Sequence, residues 1–157
     1  MSDDVRLIPI GPAERAAVAA LRLADDQREL VASNAESLEE ADADSGARPR
    51  AIVADGRIVG FLMYEVIDRG REANIYRFMI DRAAQGRGLG RAALDRLIAE
   101  ISALPGLERI EICYVPENTG ARRLYAAAGF VEIGVDADGE VIARRAVAPL
   151  RPSEGTA

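Results

Sequence analysis

Residues Phe78 to Ile101 read FMIDRAAQGRGLGRAALDRLIAEI. A short apolar run passes into a knot of glycine and arginine, then into a run with apolar residues at helical spacing. Strand, tight turn and helix in that succession commit the chain to a layered α/β arrangement, with the helix packed back on the sheet that feeds it. The turn itself, Gln85-Gly86-Arg87-Gly88-Leu89-Gly90, gathers main-chain N–H groups at a helix N-terminus, where the helix dipole adds positive potential. Glycine at 86, 88 and 90 lets the backbone approach a ligand closely. Arg87 and Arg91 add mobile positive charge. This chemistry suits a pyrophosphate.

Two familiar phosphate loops fit the letters poorly. A Walker loop closes in Gly-Lys-Ser/Thr, and this chain contains no lysine. A dinucleotide fingerprint reads G-x-G-x-x-G ahead of a strand that carries an acidic residue. Here the spacing is G-x-G-x-G, and the next strand ends in Cys113-Tyr114. Taken alone, the loop is also consistent with a glycine-rich connection that binds nothing.

The rest of the chain extends the same pattern. VRLIPI (5–10) reads as a strand stopped by Gly11-Pro12, and a helix begins at Pro12. A second helix or helix pair follows, with Leu30, Val31 and Leu38 as core contacts. Asp55-Gly56 between two apolar runs signals a two-residue hairpin, and Arg69-Gly70 closes another turn before the strand ANIYRFMID. LERIEICYV (107–115) is a strand with alternating apolar positions. PENTGARRLYAAAGF (116–130) is a helix ended by Gly129, and a last hairpin runs through FVEIGVDADGEVIARRAV. The order β-α-α-β-β-β-α-β-α-β-β predicts one mixed α/β domain over residues 1–148, with a disordered tail over 149–157.

Composition narrows the chemistry. The 157 residues include no histidine, which removes Ser-His-Asp and Cys-His machinery and most zinc sites, so no metal is expected. A net charge of -6 argues against nucleic acid as a partner. No run approaches a membrane span, the N-terminus is acidic rather than signal-like, and one cysteine cannot form an internal disulfide. A cytoplasmic protein acting on a small cationic molecule is the expectation.

Gln85-x-x-Gly88-x-Gly90 resembles the acetyl-CoA-binding signature Q/R-x-x-G-x-G/A of the GNAT superfamily of N-acetyltransferases. RFMIDRAAQGRGLGRAAL resembles that family's fourth strand and following helix, and PENTGARRLYAAAGFVEIG its asparagine loop and its x-x-Y-x-x-x-G-F helix. With IVADGRIVGFLMYEV and the N-terminal ELVASNAESLEEA, the chain is similar to bacterial diamine (spermine/spermidine) N-acetyltransferases. The resemblance implies a mixed, mostly antiparallel sheet of about seven strands flanked by about four helices, with strands 4 and 5 splayed. It also implies a homodimer and a primary amine, of polyamine or diamine type, as acceptor.

Residue by residue, the resemblance assigns the cofactor acetyl-CoA to a definite path. The main chain of Phe78, Met79 and Ile80 would hydrogen-bond the pantetheine arm. Gln85, Gly86, Arg87, Gly88, Leu89, Gly90 and Arg91 would hold the pyrophosphate, Asn118 the arm, and Arg122 or Arg123 the phosphates. Tyr125 would be the general acid at the departing thiolate, whose ordinary pKa of about 8–9 lies below that of tyrosine. Relatives often carry an acidic residue on the fourth strand where this chain has Tyr76-Arg77. The base or water relay is therefore open among Tyr76, Glu111 and Glu65. Glu36, Glu39, Glu40, Tyr76 and Arg77 are the acceptor-site candidates. An amino sugar, an amine-bearing antibiotic, an amino acid or a peptide amine stays open as acceptor, as does a CoA-binding module without turnover. Cys113 has no histidine to activate it, so direct transfer in a ternary complex is expected over an acetyl-enzyme.

Overall fold

In the computed structural model, residues 5–21, 34, 37–39 and 46–147 are described. The strands are β1 (Val5–Pro9), β2 (Ala47–Ala54), β3 (Arg57–Ile67), β4 (Glu72–Ile80), β5 (Arg109–Tyr114), β6 (Val131–Val135) and β7 (Val141–Ala146). They form one seven-stranded sheet in the order β1-β2-β3-β4-β5-β7-β6. The helices bounded within the described residues are α1 (Pro12–Ala19), α2 (Leu89–Ser102) and α3 (Thr119–Ala127), with a 3-10 turn at Arg82–Ala84. The expected order of elements and the mostly antiparallel sheet are both present. Of the second N-terminal helix, Asn34 and Ser37 to Glu39 are helical. Leu30, Val31 and the tail from 149 lie outside the described residues.

Local chemistry accounts for the element ends. Pro12 opens α1, and the Glu14 carboxylate accepts a 2.7 Å hydrogen bond from the Gly11 N–H. Asp55 and Gly56, both at positive φ (53° and 77°), make the two-residue turn between β2 and β3. In β3, Phe61, Leu62, Met63 and Tyr64 are all essentially buried, because the sheet is covered on both faces. Leu62 and Tyr64 join Leu94, Leu97 and Ile101 of α2 in the larger core. Phe61 and Met63 join Val18 of α1, Leu38 and Met79 in the smaller one.

Two departures from regular pairing shape β4. Met63 of β3 stands opposite Arg77 and Tyr64 opposite Ile75, so Tyr76 is an extra, bulged residue. β4 and β5 are parallel and registered only from Glu72↔Arg109 to Ile75↔Ile112. Beyond these residues β4 runs on to Ile80 and β5 to Tyr114 without pairing to each other, which is the expected splay.

Gly60 allows β3 to approach β4 at this end. A Cβ there would lie 2.6 Å from the Met79 carbonyl oxygen and 2.9 Å from Ile52 Cδ1. Gly60→Ala is therefore expected to cost about 1–3 kcal/mol in urea unfolding. Gly134→Ala, with open space at the same test position, should stay within about 0.5 kcal/mol. Equal effects at the two sites would refute the close-approach reading.

Candidate active site

The parted strands enclose a cleft of about 580 Å³. One wall is β4 from Ile75 to Ile80, and the other is Ile112 to Val115 of β5 with Asn118, Leu124 and Tyr125 around α3. The glycine loop closes one end through Gln85, Gly86, Gly88, Leu89, Gly90 and Arg91.

The loop is built for close approach. Gly86 and Gly88 take positive φ (81° and 75°), and a Cβ on either would meet nothing within 4 Å. Gly88 caps α2 without a side chain, and the first turn holds no acidic residue. The leading amides of α2 thus face the cleft end with the helix dipole behind them. Gln85 donates a 2.9 Å hydrogen bond to the Ile80 carbonyl, which ties the loop to the end of β4. Asn118 is the N-cap of α3, its side-chain oxygen accepting from the Ala121 N–H at 3.1 Å.

Tyr125 sits between the parted strands. Its ring packs edge-on to Phe78 of β4 (6.3 Å, 78°), tilted against Tyr114 of β5 (5.6 Å, 32°), and edge-on to Phe130 (5.8 Å, 66°). The residue is 4% exposed, its hydroxyl has no hydrogen-bond partner among the described residues, and it lines the cleft. No buried side-chain polar atom among those residues lacks a partner, so the hydroxyl keeps its access through the cleft. Burial, and secondarily Tyr114, pushes its pKa well above the ordinary tyrosine value. The Tyr114 hydroxyl, buried and bonded to Glu132 at 2.9 Å, is pushed up to about 12.

Arg77 and Tyr76 both line the cleft, beside the bulge. Arg77 donates from Nε to Ser37 Oγ (2.8 Å) and from Nη1 to the Tyr76 carbonyl (2.6 Å), and its guanidinium lies 5.5 Å from the Tyr76 ring centroid. It thereby links the N-terminal helical residues to β4.

Other expected residues stand elsewhere. Glu111 is held by Arg144 of β7, with Arg144 Nε 2.8 Å away. Arg122 makes a bidentate pair with Glu132 (2.6 and 3.0 Å), whereas Arg123 is exposed without an ion pair among the described residues. Arg87 faces Asp55 at 3.9 Å, outside the cleft lining. Glu65 stands opposite Asn74, away from the cleft, and Glu39 is exposed on its helical segment. Glu36 and Glu40 lie outside the described residues.

One charged cleft residue escapes the sequence reading. Glu140, just before β7, reaches the lining because Val141 pairs with Tyr114 across the sheet. In sequence it merely follows an Asp-Gly turn, and nothing local distinguishes it from a solvated residue. Cys113 also lines the cleft, but burial, then Asp136, Glu140 and Glu111, push its thiol pKa up, opposite to what a nucleophile needs.

The sequence profile described as "Acetyltransferase (GNAT) family" matches residues 17–130. The spermine/spermidine N(1)-acetyltransferase of Bacillus subtilis (strain 168) is 33% identical over 135 residues, covering 82% of this chain and 89% of that protein. A mycothiol acetyltransferase of Beutenbergia cavernae is 39% identical over 83 residues, which are 53% of this chain and 27% of that protein. Among solved structures, AAC(6′)-Ib in complex with paromomycin and acetyl-CoA superposes with a TM-score of 0.78. It is 18% identical, covers 92% of this chain and 94% of its own, and attests to the shared fold. Among the described residues no helix is long and apolar enough to cross a membrane.

Burial raises the pKa of Tyr64, Tyr114 and Tyr125 in the fold above the value of about 10 for an unfolded chain. The unfolded chain releases these protons first, so stability is full below about pH 10 and falls as pH rises through the folded values. Urea unfolding between pH 8 and 11 should show that decline, and Tyr114→Phe should make it shallower. An unchanged slope in the variant would remove Tyr114 from the effect.

Proposed function

The chain belongs to the GNAT acetyltransferase family, and from that premise we propose that it moves the acetyl group of acetyl-CoA to a primary amine of polyamine or diamine type. One juxtaposition carries the reading: parted strands, an uncapped helix N-terminus with two left-handed glycines, and a tyrosine hydroxyl meet in one cleft. The donor set fits the group. Main-chain atoms of Phe78 to Ile80 would hold the pantetheine arm as a surrogate strand, and the amides from Gly86 to Arg91 would hold the pyrophosphate. Arg123 suits the outer phosphates better than Arg122, whose guanidinium already holds Glu132.

Acetyl-CoA supplies the thioester carbon that the amine attacks and the thiolate that departs. Tyr125 serves at the sulfur. Burial keeps its hydroxyl protonated at neutral pH, and it would donate a hydrogen bond to the departing thiolate. The acceptor ammonium must first lose one proton to become nucleophilic, and the second proton that the nitrogen releases after attack would complete the thiol. Of the three relay candidates Tyr76 alone lines the cleft, and the reading assigns it the water that takes the ammonium proton. A homodimer in the cytoplasm, as the resemblance implies, belongs to the same proposal.

A second reading rests on Arg77. A guanidinium on the acceptor wall favours an amine that also carries an anionic group, such as an amino acid.

Tyr125→Phe should slow transfer at least about tenfold while calorimetry finds acetyl-CoA affinity within about threefold of wild type. Unchanged turnover would remove Tyr125 from the mechanism. Thiol release with spermidine, spermine, amino sugars, amino acids and peptides side by side tests the acceptor. Turnover of spermidine or spermine is expected, and turnover confined to another amine would overturn the polyamine reading.

A further inference from the structure

We propose that the Glu140 carboxylate anchors the second, non-reacting ammonium group of a diamine acceptor. The inference rests on the acetyltransferase reading above and narrows its acceptor. Glu140 lines the same cleft as Tyr76, Cys113, Tyr114 and Tyr125, and it is half-buried. Its main chain is fixed on both sides. The Glu140 N–H donates to Asp136 Oδ1 and the Asp136 N–H donates to the Glu140 carbonyl, each at 2.9 Å, across the turn between β6 and β7. The residue is thus delivered to the cleft by a short, closed turn rather than by a free loop.

Charge pairing sets it apart. Glu72, Glu100, Glu111 and Glu132 each stand against an arginine: Arg109, Arg50, Arg144 and Arg122. The Asp136 carboxylate accepts from the amides of Asp138 and Glu140. Among the described residues Glu140 is the one acidic residue on the cleft lining, and no ion pair among them engages it. An acidic side chain at a cleft wall without an ion-pair partner favours a cationic ligand.

The reacting nitrogen is not that ligand. With the relay for the reacting nitrogen assigned to Tyr76, the Glu140 carboxylate is left to hold a nitrogen that stays an ammonium. Glu140 therefore serves a second nitrogen, tethered by methylenes to the one that meets the thioester near Tyr125. Register places it at the mouth: Val141 pairs with Tyr114 and Ile142 with Cys113, so the main chain of Glu140 stands one residue beyond the last pair, and its charge reaches Cys113.

The test compares 1,4-diaminobutane with n-butylamine, which has the same chain and one nitrogen. Binding of each to the enzyme with CoA present is measured by calorimetry, and KM by thiol release, for wild type and Glu140→Gln. The variant should weaken diamine binding and raise its KM by at least about tenfold. Values for n-butylamine and acetyl-CoA should stay within about twofold, with an unchanged melting midpoint. Equal losses for both amines, or no loss for either, would overturn the anchor while wild-type diamine turnover kept the proposed function intact. No turnover of 1,4-diaminobutane by the wild type would overturn the anchor, and no turnover of spermidine or spermine either would overturn the proposed acceptor with it.

Discussion

A strand inside a sheet owes each main-chain N–H and C=O a partner, and β4 loses its β5 neighbour beyond Ile75 and Ile112. Nearly every feature of the cleft follows from how that loss is managed. The bulge at Tyr76 bends β4 away, and Gly60 keeps its other edge close to β3. Where backbone pairing stops, the Tyr125 ring takes over, packed on Phe78 from one strand and Tyr114 from the other. An aromatic wedge of this kind holds two strands apart at fixed distance, which direct hydrogen bonding would close.

The wedge also divides the cleft electrostatically. One end is lined by the leading amides of α2, favourable to anions through the helix dipole. Toward the turn between β6 and β7 stands Glu140, and partial desolvation, then the negative field of Asp136, Glu140 and Glu111, raises the thiol pKa of the exposed Cys113. In a chain without histidine, such fixed dipoles and carboxylates, together with arginine guanidinium groups and tyrosine hydroxyls, are the available means of binding and proton transfer in the cleft.

What sequence makes legible here is local chemistry. Asp55-Gly56 announces its turn, the spacing around Gly86 and Gly88 its left-handed loop, and the apolar runs their strands. The fold class follows from the order of such elements. Less legible is anything set by pairing between distant segments. The bulge at Tyr76 depends on register with Met63, and Arg77 depends on Ser37. Glu111 resembles a free carboxylate until β7 brings Arg144 beside it, and Arg122 a free cation until β6 brings Glu132. Glu140 enters the cleft only through the pairing of β7 with β5. The glycine-loop half of the cleft is therefore written in the motif, and the other half in the tertiary contacts.

Residue-resolved amide hydrogen exchange with and without CoA tests most directly whether the parted strand is where the cofactor lies. Protection rising by about tenfold or more in the segment Phe78–Ile80 and from Gly86 to Arg91, with β1 and β2 unchanged, is the expected result. Protection confined to other segments, or none at saturating CoA, would contradict it.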